Sequence, residues 1–356
     1  MEGNLGNERS QRSMAIRLLI QCTLQLALTF GYQLAFSFQH TSPTESLRPR
    51  SLSAADTTAV NLLNELAKQH WRVRPDSAQH YARQALDEAR QIRYRKGEAE
   101  ALRILGWSYN NQGNQDQAKA YLNQAIQIFE QIAFEPGLGA ALNNLGVVNE
   151  YSGNYEEGLE AHLRALTIFR KLNNQEAVGS VLNYIGIVYQ SLGDYEKAVE
   201  YCLQGLRIRQ EIQDHPGIAY SLINMGNMYL ATEQVHTALD YYLQSLDYAE
   251  DRALPSINYS RWQLGKAYTR LNQYDSATYF LRQSLDRNPN DYVALQILGE
   301  VHLEKGAHEV SLQYLLKSLS LLEQKNQRSQ SFVQTLHLIS RAYAAQKQFT
   351  EALSYA

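Results

Sequence analysis

No set of side chains in these 356 residues has the spacing of a bond-making site. The nine histidines are scattered, none forms a two-histidine ligand pair one helical turn apart, and His302 and His308 fall in different elements. Glu156 and Glu157 open a helix, where adjacent carboxylates complement the positive end of the helix dipole instead of forming an acid–base pair. There is no phosphate-cradling glycine loop and no nucleophile elbow. No catalytic residue, metal or cofactor is therefore expected. What remains is chemistry suited to recognition. Asn143 and Asn183 each offer a donor and an acceptor that can bracket a peptide bond without reading its side chains. Trp107 and Trp262 can supply apolar anchors. The same amides can equally bond neighbouring helices, and the same indoles can belong to a core.

These residues sit in a periodic frame. Glycine recurs at Gly106, Gly146, Gly186 and Gly226, forty residues apart, and twelve residues after each stands Ala118, Gly158, Ala198 or Ala238. The register continues with Gly265 and Ala277, Gly299 and Ser311, Ser340 and Ala352, and upstream with Leu66 and Ala78. Small residues in this register let two antiparallel helices cross closely. Around each marker, apolar residues recur at three and four places, as in Leu102, Leu105 and Tyr109 or Leu182, Ile185 and Tyr189, which is helical spacing. Gly113, Gly153, Gly193, Asn272 and Gly306 follow at equivalent turn positions that suit a left-handed residue, while Glu233 and Lys347 break that residue choice. A second helix then opens with Asp116, Glu156, Asp194 or Asp275. Between units, Gly97, Gly137 and Gly217 fall on the same register, forty and then eighty residues apart. The expected units are 59–98, 99–138, 139–178, 179–218, 219–257, 258–291, 292–332 and a truncated 333–356.

The landmarks resemble the tetratricopeptide repeat family. Its pattern is carried by Leu182, Ile185, Gly186, Tyr189, Ala198, Cys202 and Gly205 in one unit and by Leu264, Gly265, Tyr268, Ala277, Leu281, Ser284 and Pro289 in another. The resemblance implies an all-α fold, a right-handed superhelical solenoid of antiparallel helix pairs. Most units run to 40 residues instead of the family's 34, which lengthens each helix by about three residues. This long form is similar to the repeats of kinesin light chains, cell-polarity adaptors and the exported sensor arrays of bacterial histidine kinases and transcriptional regulators. In this family the first helices line a concave groove, so positions three before, one after and four after each marker glycine would face it. They are Arg103, Trp107 and Asn110, then Asn143, Val147 and Glu150, then Asn183, Ile187 and Gln190, with Ile223, Asn227 and Leu230 following and Trp262 further along. The resemblance implies a protein or peptide partner in that groove and a non-catalytic sensory or scaffold role in bacterial signal transduction. A stand-alone periplasmic adaptor and a cytosolic peptide-responsive regulator are the alternatives.

The net charge of −3 with both signs mixed along the helices argues against a nucleic-acid surface, and Arg93, Arg95 and Lys96 suit a helix C-terminus. Two cysteines, Cys22 and Cys202, leave no disulfide framework, and Cys202 reads as a small core residue. Arg9, Arg12 and Arg17 precede a mostly apolar run from Leu18 to Phe38 with the small residues Ala35 and Ser37, the pattern of a secretory signal peptide or an N-terminal anchor over 1–38. Gln21, Gln25 and Gln33 interrupt it, and residues 39–55 read as a linker. Export is the expectation, to the periplasm or a membrane surface, with a cytoplasmic chain as the alternative. The sequence stops inside a second helix after Leu353 and Tyr355, so a fragment is expected, with membrane attachment through either end and self-association of the raw edge left open.

Overall fold

The helical periodicity of the sequence becomes a train of paired helices in the computed structural model, which describes residues 57–71, 74–324 and 330–356. The signal-like segment, its Cys22 and the linker lie outside the described residues. The pairs are α1 (Thr58–His70) with α2 (Pro75–Gln91), α3 (Arg95–Asn111) with α4 (Gln115–Gln131), α5 (Glu135–Tyr151) with α6 (Tyr155–Lys171), and α7 (Gln175–Ser191) with α8 (Tyr195–Glu211). Then follow α9 (His215–Ala231) with α10 (Val235–Glu250), α11 (Ile257–Arg270) with α12 (Tyr274–Arg287), α13 (Tyr292–Glu304) with α14 (His308–Gln324), and α15 (Gln330–Ala345) with α16 (Phe349–Ser354). Among the described residues there is no strand. The fold is an all-α solenoid of antiparallel helix pairs. Residues from Val60 to Ala356 form one compact unit.

Helix length follows unit length. The helices α3 to α8 each hold 17 residues, whereas α11 and α12 of the short unit hold 14. The added length is nearly one turn per helix. First helices open at Arg95, Glu135, Gln175 and His215, upstream of the repeat register, so Gly97, Gly137 and Gly217 sit within their first turns and not in the turns between units. There the side chains of Tyr94, Phe129 and Asp214 cover them. Several helix starts are capped by a short acceptor: Asn114, Asn174, Asp194, Asp214 and Asp291 accept from Gln117, Ala177, Lys197, Gly217 and Ala294 backbone N–H groups.

The described turns inside the pairs from Gly113 onward, and the turns between pairs as far as Ala253, take a left-handed residue. Inside the pairs, Gly153 stands at φ +76°, and Glu233 and Lys347 adopt the same conformation at 60° and 62° despite their side chains. Between the pairs, Arg93, Ala133, Asn173, Gln213 and Ala253 lie between 51° and 56°. The 6→1 bonds that close these turns, such as Tyr94 N–H to Ala89 O at 2.7 Å, hold non-glycine residues there.

The marker glycines face residues sixteen places on. A Cβ on Gly106 would lie 2.6 Å from Leu122, on Gly146 2.5 Å from His162, and on Gly265 2.8 Å from Leu281. Carbonyls of Ala118 and Ala198 approach the same spot at 3.1 and 3.0 Å, so both members of the small-residue register are needed for the close crossing. A second device repeats one turn further along. Tyr109 stacks on Tyr121, Tyr189 on Tyr201, Tyr229 on Tyr241, Tyr268 on Phe280, His302 on Tyr314 and Tyr343 on Tyr355, with centroids 5.3–5.8 Å apart. The third pair lacks it, because Asn149 and Ala161 occupy those places.

Successive odd-numbered helices from α3 to α15 contact one another as well as their even partners. Closer approach on one side of a stack puts that side inside the curve, so the odd helices form the inner face.

Candidate functional site

The positions three before, one after and four after each marker lie on the odd-numbered helices. The N-terminal stretch of the inner face is largely occupied by its own contacts. Arg103 is buried, pairs with Glu100 at 2.9 Å and lies over the Trp71 ring, and Trp107 packs against the same indole at 6.1 Å. Burial works to raise the Glu100 carboxyl, but Arg103 and Lys68 outweigh it and hold the group below its ordinary value. Val147 is buried, Ile187 is half-buried in an apolar cluster, and Asn183 is buried with its Nδ2 donating to Ser221 Oγ at 3.0 Å across the joint between α7 and α9. Gln190 donates to the Asn227 carbonyl at 3.3 Å, and the Asn227 amide oxygen accepts from the Tyr242 hydroxyl at 2.8 Å. Trp262 Nε1 donates to Asp291 Oδ2 at 3.0 Å beside Tyr259 and Tyr220. The structure thus spreads the eleven candidates along the face and gathers only some into recesses.

Asn143 is turned inward. Its Oδ1 lies 2.9 Å from His162 Nδ1, so the imidazole donates from that nitrogen and stacks on Tyr184 at 5.4 Å. His162 Nε2 is buried with no hydrogen-bond partner, and burial pushes the imidazole down to about 3, well below its ordinary 6.5. It is a neutral core residue under Gly146.

Glu150 and Asn110 share a cleft of about 860 Å³ with Asn111 and Gln115, Tyr151, Tyr155 and Ser191, and Ser331 at the start of α15. Asn110 is buried and its Oδ1 has no partner. Burial raises the Glu150 carboxyl from 4.5 to about 7, with no nearby cation to oppose it.

A second cleft, of about 730 Å³, lies at the other end of the inner face. Its walls are Leu230 of α9, Lys266 and Arg270 of α11, Glu300 and Glu304 of α13, and His337, Leu338 and Arg341 of α15. Arg341 bonds Glu304 at 3.0 Å, and Arg270 bonds Glu233 at 3.1 Å. Burial lowers the Lys266 ammonium and raises the Glu300 carboxyl, and each charge partly offsets the other's shift. Apolar patches between paired charges make this recess amphipathic. Among the described residues, no group of three or more His, Cys, Asp and Glu side chains is arranged to hold a metal. Cys202 is buried against Gly186, and burial pushes its thiol up to about 12.

Family models described as tetratricopeptide repeat match residues 100–131, 137–211, 177–251 and 263–326, together more than half of the chain. This chain belongs to the tetratricopeptide repeat family. No curated protein matches it in sequence. Its fold is similar to a Rap protein solved with competence and sporulation factor (TM-score 0.60, 15% identity, covering 84% of this chain and 96% of that one). It is also similar to the apo quorum sensor NprR from B. thuringiensis (0.58, 13%, 98% and 97%) and to apo RapI (0.56, 17%, 76% and 99%). At these identities the likeness concerns the fold.

Seen as tetratricopeptide repeats, the later units hold the residues that sequence reasoning passed over. The same three offsets that mark Asn110 and Glu150 yield Lys266 and Thr269, Gln296 and Glu300, and His337 and Arg341 in units six to eight. The signal was present in the register, but it was carried only as far as Trp262. A buried joint was also missed: Arg209 reaches the Gly217 carbonyl at 2.8 Å, Ser221 at 2.9 Å and Ser180 at 3.1 Å, tying the fourth unit to the fifth.

Proposed function

We propose that this chain is a non-catalytic module that holds a peptide, or an extended segment of a protein, along the inner face of its repeats in a bacterial signalling or regulatory system. The observation that carries the reading is the amphipathic cleft where α9, α11, α13 and α15 bring Lys266, Arg270, Glu300, Glu304 and Arg341 around Leu230 and Leu338. Paired charges of both signs at alternate levels suit a backbone flanked by polar and apolar side chains better than a uniformly charged polymer. Two proteins of similar fold support the regulatory part: one was solved with competence and sporulation factor, and another is a quorum sensor. Because each unit touches mainly its neighbours, an occupied groove would change curvature and so pass the signal along the stack.

Selection from a displayed random-peptide library tests this with the full chain and with its Glu300→Lys and Arg341→Glu variants. We expect enriched sequences that the variants no longer retain. Enrichment of nothing above a blank, or of the same peptides by all three proteins, would remove the reading. Arg9, Arg12, Arg17 and the apolar run after them support export, which fractionation and N-terminal sequencing of the mature protein would test. Recovery in the cytosol with the run intact would favour a cytosolic peptide-responsive regulator.

A further inference from the structure

We propose that the cleft holding Glu150 and Asn110 is a subsite for a guanidinium or alkylammonium side chain of the bound peptide. The inference rests on the peptide-binding reading of the inner face and adds the chemistry of one position in it.

The lining decides the sign of the charge. Glu150 of α5 is the only carboxylate among the cleft residues, and none of them is a lysine, arginine or histidine. Around it stand Asn110 and Asn111 from α3, Gln115 from α4, Tyr151 from its own helix, Tyr155 from α6, Ser191 from α7 and Ser331 from α15. Tyr151 and Tyr155 are the other titratable groups among the cleft residues, and burial holds the Tyr151 hydroxyl above its ordinary value. The Glu150 side chain has no ion-pair or hydrogen-bond partner among the described residues, in contrast to Glu304 and Glu233, which hold arginines. Asn110 adds an acceptor that is more than nine-tenths buried and unpartnered. An unmatched acceptor beside an unmatched acid is completed by a group carrying both positive charge and N–H donors. A quaternary ammonium would satisfy the charge and leave Asn110 Oδ1 orphaned.

The acid occurs once. At the same offset the other units place Asn110, Gln190, Leu230, Thr269 and Leu303, so the subsite belongs to the third unit alone. The desolvation that keeps the Glu150 carboxyl protonated up to about pH 7 also governs occupancy. An arriving cation favours the carboxylate, and the displaced proton goes to solvent. Binding therefore strengthens as pH rises through neutrality.

The test titrates the full chain with the capped pentapeptide Ac-Ala-Ala-Arg-Ala-Ala-NH2 and with its citrulline counterpart, which keeps the shape and loses the charge. For the arginine peptide we expect roughly 10-fold tighter binding at about pH 8 than at about pH 6, following the ionised fraction of Glu150. The citrulline peptide should show no such dependence. Glu150→Gln should abolish both the arginine preference and the pH dependence, and Asn110→Leu should weaken the arginine peptide while keeping its pH dependence. Equal binding of the two peptides, no arginine binding at millimolar concentration, or an unchanged preference in Glu150→Gln overturns the subsite. Library peptides selected without a basic residue would also sink it while leaving the peptide-binding reading standing. A library that yields nothing sinks the latter, and the pentapeptide titration still decides the former.

Discussion

Gly146 lies directly under the imidazole of His162, so close that a Cβ there would sit 2.5 Å from the ring. The ring cannot give way. Asn143 holds one side at 2.9 Å and Tyr184 covers the face at 5.4 Å. The same contact recurs as Gly106 with Leu122 and Gly265 with Leu281, and in the third unit the filler is an imidazole.

Gly146→Ala is therefore expected to destabilise the fold. Alanine favours the helix by about 1 kcal/mol, but overpacking against a fixed ring costs about 1–3 kcal/mol or more, so the net effect is a loss. Urea denaturation reads it directly, and a variant as stable as the parent would mean that the ring can move.

The buried imidazole should make the protein acid-labile. His162 is held neutral down to about pH 3, whereas in the unfolded chain it takes up a proton near 6.5. The unfolded state thus binds more protons between those values, and stability falls by about 1.4 kcal/mol for each pH unit below 6.5. His162→Leu, with the residue that fills this place in the units of Leu122 and Leu281, should move the acid-unfolding midpoint to lower pH. Far-UV circular dichroism against pH checks this, and an unmoved midpoint assigns the lability elsewhere.

Glu150 has the opposite dependence. Its folded-state value of about 7 exceeds the ordinary 4.5, so the native state binds the extra proton. Stability falls as pH rises through that window, by a total on the order of 3 kcal/mol. Glu150→Gln should therefore be more stable than the parent at pH 8 and close to it at pH 4.5. Thermal melts of the two proteins at both values decide it, and a gain of equal size at both would rule out a desolvated acid.

Cys202 should resist alkylation in the native state. Its thiol is fully buried against Gly186 and is pushed up to about 12, so almost no thiolate is presented to reagent. Iodoacetamide labelling followed by mass spectrometry is expected to slow at least ~100-fold in the folded protein compared with the guanidine-unfolded one. Rapid native labelling would show that α7 and α8 separate readily.

How much of this was legible in advance varies with the range of the interaction. The helix pairs, the close crossing at the marker glycines and the three added residues per helix follow from spacing within one unit. The left-handed turns between units were not legible as a set, because Arg93, Ala133 and Gln213 are not residues that announce that conformation, and Asn173 alone among the equivalent places is. Offsets of three, one and four from a marker point to the groove-side residues, yet nothing in one unit says whether Asn143 turns out to a ligand or in to His162. Nor does it say that Glu150 remains without a partner while Glu304 acquires Arg341.

The sequence by itself determined the local and nearest-neighbour structure: which segments are helices, where they cross and how long each unit is. Those choices depend on side-chain size and on hydrogen bonds within about forty residues. Only the tertiary structure decided which polar groups are satisfied. The curvature of the stack sets which odd helices come together, and that brings Lys266 to Glu300 and Ser331 to the cleft of Glu150. Burial and charge pairing are sums over several units, so the chemistry of the inner face cannot be read from any one of them.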